Sequence, residues 1–165
     1  MGLNYHIKSP SQHFMTLWRV NCGNISCYEP FSTGRFTIRK VDMSKILLVD
    51  DDEFVVEYLK AHLEEWGYDV LGASGGRSAI DMAVSETPGL IIMDINMPGV
   101  TGYEAIAELK GNPQTAGIPI VALTANKTAE DRDHAYEIGC EGYISKPIVD
   151  VDVIRNTVRR ILGEN

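Results

Sequence analysis

Four short stretches of the chain carry side chains that could do chemistry: LLVDDDE at 47–53, MDINMPG at 93–99, IVALTAN at 120–126 and GYISKPI at 142–148. Each places polar residues at or just past the end of a short strand-like run: Asp50 and Asp51, then Asp94, then Thr124, then Lys146. Carboxylates brought within a few ångströms of one another raise each other's proton affinity and need a cation between them. No His or Cys flanks these positions, so the donor set is hard oxygen, which suits Mg²⁺ first and Mn²⁺ as the second candidate. Asp52 and Glu53 have a simpler explanation, because acidic residues at the start of a helix favour the macrodipole.

These side chains can meet only if the elements carrying them converge. From residue 45 onward the chain alternates short β-type runs with amphipathic helical stretches, the pattern of βα units around a parallel sheet. The expected strands are Lys45–Val49, Tyr68–Ala73, Leu90–Met93, Ile118–Leu123 and Gly142–Ser145. The expected helices are Glu53–Trp66, Ser78–Ser85, Tyr103–Lys110, Thr128–Ile138 and a final one with Val151, Ile154, Val158, Ile161 and Leu162 on its buried stripe. Thr128 and Asp150 are the expected helix caps of the last two, and Gly67 and Gly139 the expected stops. In such a sheet all strands point one way. Residues just beyond their carboxyl ends therefore gather on one edge, where the five polar positions would lie.

The charge distribution divides the chain. Residues 1–42 hold five Lys/Arg against two Asp/Glu, and residues 43–165 hold ten against 21, giving +3 and −11. The acidic part lacks the clustered Lys/Arg that phosphate neutralisation requires, so direct nucleic-acid binding is not expected. Residues 1–42 show no regular apolar period and read as an N-terminal extension, either disordered or an artefact of an upstream start, with the functional domain at 43–165. Cys22, Cys27 and Cys140 form no disulfide framework, and no apolar run reaches the length of a membrane span, so a cytoplasmic setting is expected.

Taken together, the four stretches resemble the receiver domain of two-component response regulators, from Met43 to about Leu162. The intervals of 43 residues from Asp51 to Asp94, 30 from Asp94 to Thr124 and 22 from Thr124 to Lys146 fit that family. The resemblance implies a flavodoxin-like doubly wound α/β sheet of five βα units with strand order 2-1-3-4-5. It also implies that Asp94 is a phosphoacceptor taking a phosphoryl group from a histidine kinase or a histidine phosphotransfer protein. Asp50, Asp51, Asp94 and the backbone carbonyl of Asn96 would organise Mg²⁺, and Lys146 and Thr124 would contact the phosphoryl oxygens. Tyr143 would act with Thr124 as a switch, and Asn96 and Asn126 would tune the acyl-phosphate lifetime. A cis Lys146–Pro147 bond, and a partner-facing surface that includes exposed Phe54 and Ile148, follow from the same resemblance.

On this reading the chain is a single-domain regulator that switches partner binding or relays the phosphoryl group. It catalyses at most its own phosphorylation and acyl-phosphate hydrolysis. Two alternatives belong to other classes. Aspartate-nucleophile phosphatases resemble DxDxT at the acceptor loop, whereas this loop reads DINMP, without the second aspartate. An unphosphorylated receiver-like scaffold would lack the acceptor, the acidic pair or the lysine, and none is missing. His62, His134 and Cys140 are expected to be packing or surface residues.

Overall fold

A computed structural model describes residues 42–125 and 128–164, and the expectations for the N-terminal extension, for Cys22 and Cys27, and for Asn126 lie outside the described residues. The chain runs β1 (Asp42–Val49), α1 (Glu53–Glu65), β2 (Asp69–Ala73), α2 (Gly76–Glu86) and β3 (Pro88–Asp94). It continues with α3 (Gly102–Gly111), β4 (Ile120–Thr124), α4 (Ala129–Glu137), β5 (Gly142–Ser145) and α5 (Asp152–Leu162). The strands form one parallel sheet in the order β2-β1-β3-β4-β5, as expected.

Both faces of the sheet are covered, which is why β3 and β4 are buried along their whole length rather than alternating. The alternation instead sorts side chains between two cores. Leu47, Val49, Ile91, Met93, Ile120 and Ala122 pack against Ala79 and Ile80 of α2, Ile106 and Leu109 of α3 and Ala135 of α4. Ile46, Leu48, Leu90, Ile92, Val121 and Leu123 pack against Leu59 and Leu63 of α1 and Ile154 and Val158 of α5. At about 1.5–3 kcal/mol for each fully buried large aliphatic side chain, this double burial is the main force holding the sheet between its helices.

The larger departures from the sequence expectations are at the starts of β1, β3, α2 and β4, and at the α5 cap. β1 begins at Asp42, which pairs with Pro88 across an irregularity in the ladder, so β3 also starts earlier than Leu90. Pro88 is tolerated there because the first position of a strand can do without an N–H. α2 starts at Gly76 rather than Ser78: a Cβ on Gly76 would lie 2.6 Å from the Val100 carbonyl oxygen, so the helix enters through a contact only glycine permits. β4 begins at Ile120 rather than Ile118, because the Ile120 N–H donates to the Glu141 carboxylate at 2.7 Å at the point where the ladder starts. The cap residue of α5 is Val151, yet Asp150 still serves the helix start, accepting from the Asp152 N–H at 2.9 Å.

Among the described residues no helix is long and apolar enough to cross a membrane.

Candidate functional site

Each polar position lies where its strand ends. Asp50 follows β1, Asp94 closes β3, Thr124 closes β4 and Lys146 follows β5, so the shared strand direction delivers all four to one edge. The sheet order reverses between β1 and β3, and Asp50 and Asp94 sit on either side of that point. Oxygens of Asp50, Asp51 and Asp94 lie within 4.8 Å of one another. Asp50 and Asp94 are 1% and 3% exposed, while Asp51 faces solvent and leaves the cluster accessible.

Lys146 is the positive charge inside this group. Its Nζ donates to Asp50 Oδ2 at 2.6 Å and to Asp94 Oδ2 at 2.8 Å. The Lys146–Pro147 peptide bond is cis, and the Lys146 N–H donates to the Thr124 carbonyl at 2.6 Å, which ties β5's exit to β4's end. Local backbone donors hold the remaining carboxylate oxygens: Asp52 N–H to Asp50 Oδ1 at 3.0 Å and Asn96 N–H to Asp94 Oδ1 at 3.2 Å. Thr124 is fully buried, and the Asn96 side-chain amide approaches its Oγ1 at 3.4 Å.

The electrostatics of the pair are asymmetric. Burial pushes the Asp50 carboxyl above its ordinary value, and the hydrogen bonds from Lys146 and Asp52 offset this only in part. Burial also opposes charge on Lys146, but two carboxylate hydrogen bonds outweigh it and raise the ammonium above its ordinary value. An ion pair favours charge on both partners. Lys146 follows that rule because it faces two carboxylates, whereas Asp50 has one ammonium to share with Asp94 and almost no contact with water.

Three carboxylates against one ammonium leave net negative charge on a site whose donors are all oxygen, and the donor chemistry fits a hard divalent cation. Asp51 is the solvent-exposed carboxylate of the three, and the cluster could hold such an ion.

Of the other sequence-derived candidates, Asp52 caps α1 by accepting from the Phe54 N–H at 2.9 Å, as expected. Tyr143 lies half-buried on β5, on the sheet face that also holds Ala122 of β4. His62 packs against Tyr58 and Trp66 along α1, and His134 packs against Tyr103. Cys140 is buried, and burial pushes its thiol up to about 12. Phe54 is 83% exposed, as expected, but Ile148 is not: it is half-buried against the α1–α5 core, and its neighbour Val149 is the exposed apolar residue at 90%. The strand-to-helix connection thus turns Ile148 toward the core that holds Leu59, Ile154 and Val158.

Gly102 was not singled out by sequence reasoning. Its N–H donates to the Ile95 carbonyl at 3.0 Å, and a Cβ there would lie 2.2 Å from the Asp94 carbonyl oxygen. The first turn of α3 is thus seated directly on the Asp94 turn. The signal in the sequence was the glycine beside Thr101 and Glu104, a capping box that fixes where α3 must begin.

Comparison with known proteins agrees with this geometry. The family model described as response regulator receiver domain matches residues 46–159. Protein PilH of Pseudomonas aeruginosa is 33% identical over 121 residues, covering 73% of this chain and 99% of PilH. The probable transcriptional regulator ycf29 of Pyropia yezoensis is 37% identical over 119 residues, and the match spans 70% of this chain but only about half, 54%, of that relative. Among solved structures, chemotaxis protein CheY4 of Vibrio cholerae matches with a TM-score of 0.67 at 30% identity, over 71% of this chain and 97% of CheY4. The receiver domain of sensor histidine kinase PA1611 from Pseudomonas aeruginosa matches with a TM-score of 0.66 at 30% identity, over 72% and 97% of the two chains. That structure is described with a magnesium ion coordinated in its active site cleft. The strand order, the edge of convergent carboxylates and these matches lead to one conclusion: the chain belongs to the response regulator receiver domain family.

Proposed function

We propose that Asp94 accepts a phosphoryl group from a phosphohistidine on a histidine kinase or histidine phosphotransfer protein. One observation carries the reading: Lys146 Nζ spans Asp50 and Asp94 at hydrogen-bond distance from both. An ammonium held there can move to a phosphoryl oxygen without leaving the site. In the transfer, an Asp94 carboxylate oxygen attacks phosphorus, the phosphorus–nitrogen bond breaks, and its electron pair returns to the imidazole. An acyl phosphate remains on Asp94.

Phosphoryl transfer depends mostly on positioning and charge neutralisation. Lys146 offers fixed positive charge, and the Thr124 hydroxyl can donate to a second phosphoryl oxygen once it shifts from its buried position. Asp50, Asp51 and Asp94, with the Asn96 backbone carbonyl, would hold Mg²⁺ or Mn²⁺. When bound, that ion neutralises phosphoryl oxygen charge. The magnesium described in the PA1611 receiver supports this assignment. Asn96 and Asn126 would govern water access to the acyl phosphate and so its lifetime. Tyr143 would respond as Thr124 moves, converting roughly −1.5 to −2 added charges into a changed α4–β5–α5 face.

The donor protein would dock beside the acidic edge. A groove of about 500 Å³ there is lined by Val55, Tyr58, Ala125, Lys146, Pro147 and Ile148, with exposed Phe54 and Val149 nearby. We further infer that residues 43–165 are the receiver unit, that it works in the cytoplasm, and that it signals through protein partners or relays the phosphoryl group onward.

Incubation with Mg²⁺ and acetyl phosphate, read by intact mass, tests the central claim. Wild type is expected to gain one phosphoryl group and Asp94→Asn none. A wild-type chain that stays unlabelled under conditions that label a reference receiver sinks the proposal.

A further inference from the structure

One buried polar atom in the receiver fold is left without a role by the chemistry above. The Tyr103 hydroxyl has no hydrogen-bond partner among the described residues, although it is shut off from solvent. Buried hydroxyls are normally paired, and an unpaired one disfavours the conformation that contains it.

The position of Tyr103 makes this more than a local defect. Its backbone follows Gly102, which is jammed against the Asp94 carbonyl and bonded to Ile95. Its ring packs edge-on against His134 of α4, with centroids 4.7 Å apart. It also lies against the same core as Tyr143 of β5. Burial chiefly, then the nearby Asp131 carboxylate and the Tyr143 phenol, push the Tyr103 hydroxyl above its ordinary value. Tyr143 feels the same Asp131 after its own burial. Two phenols from different elements therefore converge on the first turns of α4, one anchored to the acceptor turn and the other on the strand that supplies Lys146.

We propose that Tyr103 is the fixed half of the conformational switch: its hydroxyl gains a hydrogen-bond partner, the Tyr143 hydroxyl, only when Tyr143 turns inward upon phosphorylation of Asp94. The inference rests on the phosphoacceptor reading above and extends it to a second residue. Tyr103 is a positioning residue here and touches no reacting atom. A pair formed in one state only biases the equilibrium by its own differential free energy, so the cost of the unpaired hydroxyl in the resting state becomes part of the drive toward the phosphorylated one.

Full-length wild type, Tyr103→Phe, Tyr143→Phe and the double variant separate the outcomes. Each is titrated with beryllofluoride, a phosphoryl analogue, in the presence of Mg²⁺, and unfolded in urea without it. Tyr103→Phe is expected to bind beryllofluoride about tenfold more weakly, ~1.4 kcal/mol, while keeping or raising its resting urea midpoint. In the Tyr143→Phe background the same change should have no further effect on affinity, the signature of a shared interaction. Unchanged affinity in Tyr103→Phe, additive losses in the double variant, or a lowered resting midpoint would each overturn the proposal. If wild type itself fails to bind the analogue, the phosphoacceptor reading falls and this inference with it. Wild-type binding with an indifferent Tyr103→Phe removes this inference alone.

Discussion

Lys146 has a structural cost to its removal that is separate from any catalytic one. Asp50 and Asp94 are almost wholly enclosed, and their compensation within the site is the ammonium that bonds both. Lys146→Ala should therefore destabilise the chain by about 3–5 kcal/mol in chelator, because breaking a buried ion pair leaves uncompensated charge behind. Denaturant melts in EDTA measure this directly, and a midpoint equal to wild type would mean that the two carboxylates shed their charge at no cost. Glu104 gives a cleaner pH effect, since its exposed carboxylate bonds to Thr101 within the α3 capping box. The Thr101 N–H and then its hydroxyl hold the Glu104 carboxyl below its ordinary value of 4.5. A lowered folded value means that the capping contribution is complete above about pH 4.5 and fades as pH falls through the folded value. Carboxyl carbon NMR titration of Glu104 should give a midpoint below 4.5, and Glu104→Gln should flatten the acid limb of stability over that range.

At the scale of elements, the seat of α3 on the Asp94 turn is the most exacting contact. A methyl at Gly102 would sit 2.2 Å from the Asp94 carbonyl and 2.6 Å from the Ile95 Cα, both backbone atoms that cannot swing aside. Gly102→Ala should lower stability by roughly 1–3 kcal/mol through overpacking, and it should also displace the acceptor turn. Urea midpoints together with the phosphorylation rate under acetyl phosphate check both effects. A variant that is destabilised but phosphorylated at the wild-type rate would show that α3 yields and the Asp94 turn does not. The elements themselves were largely legible in the sequence. β5 has the expected bounds, and α1 and α3 differ by one residue at their ends because amphipathic period and cap residues are local signals. The starts of α2, β3 and β4 were not legible. They depend on Gly76 against Val100, Asp42 beside Pro88 and the Glu141 carboxylate on Ile120, contacts between residues 21 to 46 positions apart.

Across the whole molecule the two covered faces of the sheet make burial cooperative. Cys140 reports on that cooperativity from the core beneath α4. With its thiol pushed up to about 12 by burial, almost no thiolate is present in the folded chain at neutral pH. Iodoacetamide labelling of the Cys140 peptide, followed by mass spectrometry across a urea series, should rise only with global unfolding. Labelling well before that transition would reveal local opening of the α4–β5 region, the part assigned here to switching.

The residues that end each strand, the βα alternation and the split between a basic segment and an acidic domain were all determined by the sequence alone. They arise from local periodicity and from the geometric rule that parallel strands share one exit edge. That reasoning brought Asp50, Asp51, Asp94, Thr124 and Lys146 to a common edge. Only the tertiary structure decided how they meet: Lys146 spanning Asp50 and Asp94, Thr124 buried beside Asn96, Ile148 turned inward while Val149 faces water. It also decided that the Tyr103 hydroxyl is enclosed with no hydrogen-bond partner among the described residues. These outcomes depend on packing between elements far apart in the chain, where a shift of one side chain changes who pairs with whom. No local pattern encodes such a shift.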